Sequence, residues 1–514
     1  MKKNLLIISF FFLINHNYFS QSEINFNPKE QKAFGKIDFM SIKIPETNIP
    51  DEKNMGFTGI HYNLMMNNWS YAGVGIYGAV TGSRGGFFTL GLNAGIKKNL
   101  GKRFYFDTGF HFGGGGGASA PDGGGAFILP HFNLGYEFRN FSMNSGWSYV
   151  NFFDDGLIKG HQFNIALELP LDFSYSNYSN SEINLSIDEL NKKGWNTFSK
   201  KNTLMLHQNN LIIKGKTQNS GGIKYNGETI RLAGFEFASF FKDNWFGFVK
   251  VDGAFEGIKA GYMDVFIGAG YIYSFNKNRT NLLAKFGLGA GGGGGIDTQG
   301  GLLIYPDISI EQKVFNDFFF ALNTGFVMSP NSNVFTQSYG FGLKYYVERN
   351  GTKSNEKLYE SGIFKGLQVI AKQDIYFKAN RDSGISQDMH QISLQVNFDL
   401  NKNLFVAGQT SFANFGDAGA YAEGIVGLGI NTNKFFRDKT SIFIQALAGA
   451  AGGGGISTGE GLIVKPSIGF NYDLNKKLKF RSSAGYVKAK GGNLNSSFVN
   501  FGISYNISIL KMNN

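Results

Sequence analysis

Three runs of consecutive glycine are the first candidates for chemistry in this 514-residue chain. They cover positions 113–117, 291–295 and 452–455. Backbone N–H groups of glycine-rich loops can cradle phosphates, but that chemistry also needs a Lys-Ser/Thr pair and a following helix. Here the runs lead through ASAPDGGG, IDTQGG and ISTGEG into alternating strand patterns. The sequence therefore favours glycine-rich hairpins over a nucleotide site.

Histidine offers a second kind of chemistry. His111 and His131 flank the first glycine run, and two adjacent strands would let them share a metal ion. The corresponding positions elsewhere in the chain hold residues such as Asp307 and Ser467. A metal site would therefore belong to this part of the chain only. We favour the alternative that the two histidines are polar side chains that face inward without binding a metal. We therefore expect no metal and no cofactor.

A third candidate is a hydrolase or acyltransferase site. Asp154, Asp155 and His161 lie around one predicted loop, and such enzymes combine a His with an acidic group and a Ser nucleophile. No serine on a sharp strand-to-helix turn accompanies these residues. We therefore expect that the protein is not an enzyme.

The glycine runs mark an internal repeat. A proline follows each run, at Pro130, Pro306 and Pro466, and then comes an alternation of apolar and polar residues: HFNLGYEF, DISIEQKV and SIGFNYDL. A period of two is typical of a β-strand with one apolar and one polar face. Flanking segments also correspond among the copies, as in NWSYAGVGIYGAVTG, NWFGFVKVDGAFEG and NLFVAGQTSFANFG. The correspondence predicts three divergent copies of one unit.

These copies organise the chain into β-rich units of about eight strands each, or about 24 strands in all. The predicted repeats cover 35–174, 203–348 and 365–510, separated by linkers 175–202 and 349–364. The first linker contains SIDELNKKG, whose Ser and Glu three residues apart predict a short capped helix. The second linker is polar, and neither linker suits a bilayer.

Composition supports an all-β fold. Hydrophobic residues make up 42% and aromatic residues 16%, with 71 Gly, 9 Pro and no Cys, which favours strands and excludes a disulfide framework. The formal net charge is +11, but its lysines and arginines are scattered among strand ends and turns. We expect no nucleic-acid partner, because no concentrated basic stripe is present.

The N-terminus predicts export. Lys2 and Lys3 precede an apolar stretch at 5–13, which is too short to cross a bilayer comfortably and is typical of a signal peptide. We expect residues 1–20 to be removed.

Strand patterns of about 9–13 residues, joined alternately by short turns and long loops, resemble those of outer-membrane β-barrel proteins. The Lys- and Asn-rich, cysteine-free composition is similar to that of such proteins from Bacteroidota. The resemblance implies a transmembrane antiparallel β-barrel in the outer membrane of a Gram-negative bacterium, surrounded by outer-membrane lipid. Short turns would then lie in the periplasm and the glycine segments outside. The ending SYNISILKMNN departs from the family, since many such barrels end on an aromatic residue. No subfamily is indicated and no functional residue can be transferred.

Two barrel architectures fit the repeat. We favour one large barrel of about 24 strands, because a unit that closes on itself gains nothing from tandem order. Three small eight-stranded barrels on one chain are the alternative, and a soluble β-rich secreted protein is a third. The soluble form would need a large partner core for its one-sided apolar faces.

The function expected from the large barrel is that of a channel or a transport or export component. Its glycine hairpins would narrow the extracellular mouth through Gly113, Gly115, Gly117, Gly291, Gly293, Gly295, Gly452, Gly453 and Gly455. The predicted lumen-facing residues are His131, Glu137, Glu168, Asp307, Glu311, Lys313, Lys344 and Asp473. The alternative is a structural barrel without a pore that binds a periplasmic or surface protein. A membrane-embedded lipid-modifying enzyme is less favoured.

Overall fold

The structure is a computed structural model that describes residues 25–45, 49, 51–219, 221–225, 227–258, 260–355 and 358–513. Most of these residues lie in β-strands, because apolar and polar side chains alternate along them and so point to opposite faces. The predicted signal peptide lies outside the described residues.

The first ring consists of eight antiparallel strands. The chain enters it after the short strand β1 (Lys29–Gln31). Its strands are β2 (Ala33–Ile42), β3 (Met55–Met65), β4 (Ser70–Thr81), β5 (Phe88–Asn99), β6 (Phe104–Gly116), β7 (Phe127–Glu137), β8 (Ser142–Phe152) and β9 (Lys159–Pro170). Pairing of β2 with β9, from Phe34↔Pro170 to Met40↔Asn164, closes the ring.

A compact linker follows the first ring. It contains β10 (Phe173–Asn177), a 3₁₀ turn (Tyr178–Asn180), β11 (Asn184–Ser186) and the helix α1 (Ile187–Lys192). The capped helix predicted from the sequence is present: Ser186 Oγ accepts from the Glu189 amide, and the Glu189 carboxylate accepts from the Ser186 amide. Among the described residues, no helix has both the length and the apolar character that crossing a bilayer requires.

The second ring repeats the arrangement of the first. Its strands are β12 (Lys200–Lys214), β13 (Thr229–Phe240), β14 (Trp245–Glu256), β15 (Met263–Phe275), β16 (Thr280–Gly292), β17 (Leu302–Phe315), β18 (Phe318–Met328) and β19 (Phe335–Arg349). The closing pair is β12 with β19, in register from Lys200↔Arg349 to Lys214↔Phe335.

The third ring closes in the same way. Its strands are β20 (Ser361–Asn380), β21 (Ser386–Asp399), β22 (Leu404–Phe415), β23 (Ala422–Asn431), β24 (Thr440–Gly452), β25 (Leu462–Asp473), β26 (Leu478–Ala489) and β27 (Asn495–Asn513). Pairing of β20 with β27 runs from Ser361↔Asn513 to Tyr376↔Phe498.

The preferred single barrel of about 24 strands is therefore wrong, and the alternative of three eight-stranded barrels describes the strand pairings. Unpaired strand edges leave N–H and C=O groups without partners, which is costly. Eight strands suffice to form a barrel whose interior side chains fill, so each first strand pairs with its own eighth strand. Among the described residues, the backbone pairing between strands of the second and third rings is limited to Arg349↔Lys511.

The two strands that close the third ring are the longest in the described chain. β20 has 20 residues and β27 has 19, which exceeds the 9–11 residues of a tilted membrane strand. Their extra length pairs with the linker: β10 joins β27, β11 joins β20, and β1 joins β10. A small sheet thus fixes the first linker to the third ring.

Each ring has two kinds of ends. We call the end with turns such as 66–69 and 100–103 the short-turn end, and the end that carries the glycine runs the long-loop end. Both linkers lie at the short-turn end, because every ring begins and finishes there.

Candidate functional site: the filled rings and their junction

Ion pairs and hydrogen bonds fill the first ring. Asp107 accepts from Tyr71 Oη at 2.8 Å, and its other oxygen lies 3.2 Å from Lys36 Nζ and 3.3 Å from His131 Nε2. A second carboxylate, Asp38, lies further toward the long-loop end. The cavity among these side chains has a volume of about 20 Å³, which is room for about one water molecule.

The second ring carries a denser ionic network. Lys285 Nζ lies 2.7 Å from Glu236 and 3.2 Å from Asp307. Lys344 Nζ lies 2.5 Å from Glu311 and 3.5 Å from Glu236. All five side chains are buried, so each charge is compensated by neighbours rather than by bulk water.

The third ring uses the same chemistry with more amides. Lys465 Nζ lies 2.7 Å from Glu423 and 3.3 Å from Asp374. Tyr376 Oη donates to Glu423 at 2.7 Å. Lys285 on β16 and Lys465 on β25 are each shared between two buried carboxylates, although they lie on different strands of their rings.

Apolar side chains fill much of the remaining space inside the rings. In the first ring, Phe87, Phe127 and Phe152 are buried and in mutual contact, with ring centroids 5.7 Å and 5.0 Å from the Phe152 ring. Corresponding buried clusters occupy the second ring, around Phe266 and Leu303, and the third ring, around Tyr421 and Ile463. Each ring therefore has a packed interior rather than an open bore.

The three barrels touch through a cyclic set of contacts. The third strand of each ring packs against the fifth strand of the next: β4 on β16, β14 on β24, and β22 on β6. The two surfaces in each contact are different, and the third contact returns to the first ring. The arrangement is therefore a closed, head-to-tail ring of barrels with approximate threefold equivalence.

Small residues set the spacing at these contacts. A Cβ built on Gly78 would lie 2.7 Å from Ala290 Cβ, and one on Gly253 would lie 2.9 Å from Ala450 Cβ. At the third contact, a Cβ on Gly114 would overlap the carbonyl oxygen of Ala413. Close backbone approach is what these positions require, and glycine provides it.

The glycine runs lie at this junction. Gly292 and Gly293 contact Gly86 of the first ring, Gly452 contacts Gly261 of the second, and Gly116 approaches Ala420 of the third. They therefore do not surround the mouth of one wide barrel, as the sequence suggested, because no such barrel forms. Each run lies at the end of the fifth strand of one barrel, against a long-end loop of the neighbouring barrel.

Backbone hydrogen bonds and apolar packing complete the junction. The Gly85 amide donates to the Gln299 carbonyl at 2.6 Å, and the equivalent Ala260 amide donates to the Gly459 carbonyl at 3.4 Å. Below these loops, a buried cluster draws Phe88 and Leu90 from the first ring, Val265 from the second and Phe412 from the third. The centre of the three barrels is thus packed with apolar groups near the long-loop end.

One loop carboxyl at the junction has a shifted pKa. Asp122 Oδ2 accepts from the Gly117 amide at 2.7 Å. Burial raises the pKa of Asp122 to about 7, against the lowering effects of that hydrogen bond and of the Arg84 guanidinium. The group therefore titrates near neutral pH.

The residues predicted to face the lumen divide into two groups. His131, Glu168, Asp307, Glu311 and Lys344 lie inside the small rings. Three others lie at the short-turn ends of their strands: Glu137, Lys313 and Asp473. The first five line two separate interiors, those of the first and second rings, rather than one lumen.

The other sequence candidates are not brought together. His111 Nδ1 lies 2.5 Å from Asn93 Oδ1, while His131 contacts Asp107. His161 accepts from the Trp147 indole at 3.1 Å on the outer face, away from the loop acids. Within the described ranges, no group of three or more His, Cys, Asp or Glu is arranged to hold a metal ion.

Sequence reasoning missed the residues at the barrel contacts. Gly78 and Ala290 looked like ordinary strand residues, since nothing local shows which outward positions meet another barrel. The only available signal was the interruption of an otherwise bulky outward face by Gly and Ala near the glycine runs.

Comparisons with known proteins give no family. No family model matches the chain, and no curated protein matches it. Solved structures that align with it include OpdQ of Pseudomonas aeruginosa, with a TM-score of 0.22 and 9% identity over 95% of this chain and 100% of that one.

Two further structures are a variant of the ferric enterobactin receptor PfeA of Pseudomonas aeruginosa and the FrpB iron transporter of Neisseria meningitidis. Both have TM-scores of 0.27, with 9% and 8% identity, covering 94% and 93% of this chain and 81% of each of those chains.

Proposed function

We propose that this chain is an outer-membrane protein in which three closed, non-conducting barrels form one platform that binds a partner through its exposed loops. The observation that carries the proposal is the packing of all three ring interiors. Buried ion pairs and buried aromatic or aliphatic side chains together occupy the interior of each ring. A small barrel filled in this way holds loops in place without providing a path.

Membrane embedding is supported by the outer faces. Large apolar side chains on the outward positions are exposed, including Phe132 and Leu134 on β7 and Phe286 and Leu288 on β16. Soluble monomers rarely expose contiguous apolar surface of this kind. A belt of apolar side chains around a polar interior is typical of outer-membrane barrels.

In the proposed orientation, the short turns and both linkers lie in the periplasm, and the junction loops lie outside the cell. We propose that the partner is a protein, bound either at the cell surface or at the periplasmic linker sheet. No catalytic role and no cofactor form part of this proposal.

Conductance of the purified full chain in planar lipid bilayers tests the absence of a pore. We expect no discrete current steps. A control porin in the same bilayers must conduct. Reproducible single-channel steps from this protein would refute the platform and favour the channel predicted from the sequence.

The channel is the second candidate, and one observation favours it. Ionisable groups run through the second ring from Glu311 through Lys285 and Asp307 to Asp252 and Asp264, and ionisable residues inside membrane proteins often mark ion paths. Such a path would need the apolar cluster around Phe266 to move. Phe266→Ala separates the alternatives: new current steps would identify a plugged channel, whereas silence supports the platform.

A further inference from the structure

The cyclic contacts leave a space at the centre of the three barrels. In each ring the third strand contacts one neighbour and the fifth strand contacts the other. The fourth strand between them therefore faces the common axis. These axis-facing strands are β5, β15 and β23, and we call the space between them the central pit.

The pit is closed at the long-loop end and open toward the short turns. Near the long-loop end, outward-facing Phe88, Leu90 and Val265 are only 4–6% exposed. Further along the same strands, Leu92 is 36%, Tyr271 is 38% and Leu428 is 54% exposed. The barrels thus pack tightly at one end and separate toward the other.

The walls of the pit are apolar. The axis-facing side chains below the packed cluster include Leu92, Ile96, Ile267, Tyr271, Val426 and Leu428. A pit of this kind inside a membrane needs an apolar filling, because water against these walls would be costly. Acyl chains are the apolar groups that the surrounding bilayer supplies.

The rim of the pit is basic. The turns that join the fourth and fifth strands, 100–103, 276–279 and 432–439, carry a net charge of +6. The second-to-third-strand turns, 66–69, 241–244 and 400–403, carry only +1 at the same end of the barrels.

The exposed cations are spread around the rim. Lys102 and Arg103 belong to the first ring, Lys277 and Arg279 to the second, and Arg437 to the third; all are exposed. Clustered cations beside a bilayer attract anionic headgroups.

We infer that the central pit binds an anionic glycerophospholipid of the periplasmic leaflet, with its acyl chains against the fourth strands and its phosphate at the basic rim. The inference goes beyond the platform and rests on its membrane topology alone. It assigns the rim cations a ligand that the partner-binding proposal does not require.

Native mass spectrometry of the full chain in mild detergent tests this site with two added lipids, dioleoyl-phosphatidylglycerol and dioleoyl-phosphatidylcholine. We expect the anionic lipid to bind about tenfold more tightly, as a few rim cations near one headgroup predict. Equal affinity for both lipids would overturn the inference, whatever the conductance experiment shows.

Charge variants locate the site. Lys102→Gln, Arg279→Gln and Arg437→Gln together remove one cation from each rim turn, and we expect the preference for the anionic lipid to disappear. The matched control is Arg139→Gln, Lys242→Gln and Lys402→Gln, which removes one exposed cation per ring from other turns at the same end. An equal loss in the control would show general surface attraction and overturn the site.

A wall variant tests the acyl-chain contact independently. Ala269 faces the pit from β15 and is exposed, so Ala269→Trp fills space without touching the rim. We expect fewer bound lipids of either headgroup. An unchanged number of tightly bound lipids would contradict the assignment.

Discussion

Gly78 of the first barrel packs directly on Ala290 of the second, and a Cβ added to Gly78 would lie 2.7 Å from that of Ala290. The same relationship recurs between Gly253 and Ala450, where the corresponding distance is 2.9 Å. The junction between barrels therefore depends on the absence of side-chain atoms, and this makes it open to test by small substitutions.

Gly78→Ala should destabilise the assembly by about 1–3 kcal/mol, as overpacking typically does. Urea unfolding in lipid vesicles measures the free energy. The matched control is Gly424→Ala on β23, where a new Cβ meets no atom within 4 Å. Equal stability of the two variants would show that the barrels do not pack as described.

The glycine runs allow clash and backbone strain to be separated. Gly453 (φ +96°) and Gly455 (φ +68°) both have positive φ, but only at Gly453 would a Cβ overlap a neighbour, the Ala420 carbonyl oxygen. Gly455→Ala should cost roughly 1–2 kcal/mol for the left-handed conformation alone. Gly453→Ala should cost clearly more in the same unfolding assay. A smaller cost at Gly453 would contradict the loop packing.

Lys285→Met should destabilise the second ring by roughly 3–5 kcal/mol, because it leaves Glu236 and Asp307 buried without their shared cation. Lys277→Met, at an exposed turn position of the same ring, serves as the control for loss of charge alone. Thermal unfolding followed by circular dichroism compares them. Similar midpoints would mean that water reaches the carboxylates, and the ring would then not be filled.

The loop that contains Asp122 should lose stability as pH rises. Its carboxyl has a pKa of about 7 in the fold against an ordinary value of 3.8, so the folded state binds the proton more tightly than the unfolded state. The stabilisation is complete below about pH 4 and is lost as pH rises through about 7.

Hydrogen exchange of the Gly117 amide, corrected for its intrinsic rate, should report that loss as more frequent opening at higher pH. Asp122→Asn should remove the dependence, whereas Asp155→Asn in the neighbouring loop should retain it. A pH-independent opening in the unmodified protein would argue against burial of the Asp122 carboxyl.

The strands were predictable because each carries its own signal. Residues 131–138 alternate strictly, and β7 contains most of them. The capping box at Ser186 and Glu189 was equally readable, since all its atoms belong to residues three positions apart.

Ring closure was not readable from the sequence. One large barrel would require β12 to pair with β9, but β12 pairs with β19, where Lys200 is opposite Arg349. That choice depends on strand curvature and on an edge strand far along the chain, and no local pattern reports either. The site was hidden for the same reason. His131 could be placed on an inner face, but its partner Asp107 lies on another strand and could not be identified. In addition, the alternation pattern of a polar side chain is the same whether it lies in a filled ring or in a water-filled lumen.

Because the three barrels belong to one chain, the residues at each of their three interfaces can change independently. In a trimer of separate identical barrels, any substitution would appear three times around the axis. Here each interface occurs once, and the third has already diverged: Phe412 occupies the position equivalent to Gly78 and Gly253, while Gly114 replaces the alanine on the opposing strand. The tandem chain can therefore evolve one side of its axis without altering the other two, and its stoichiometry does not depend on concentration.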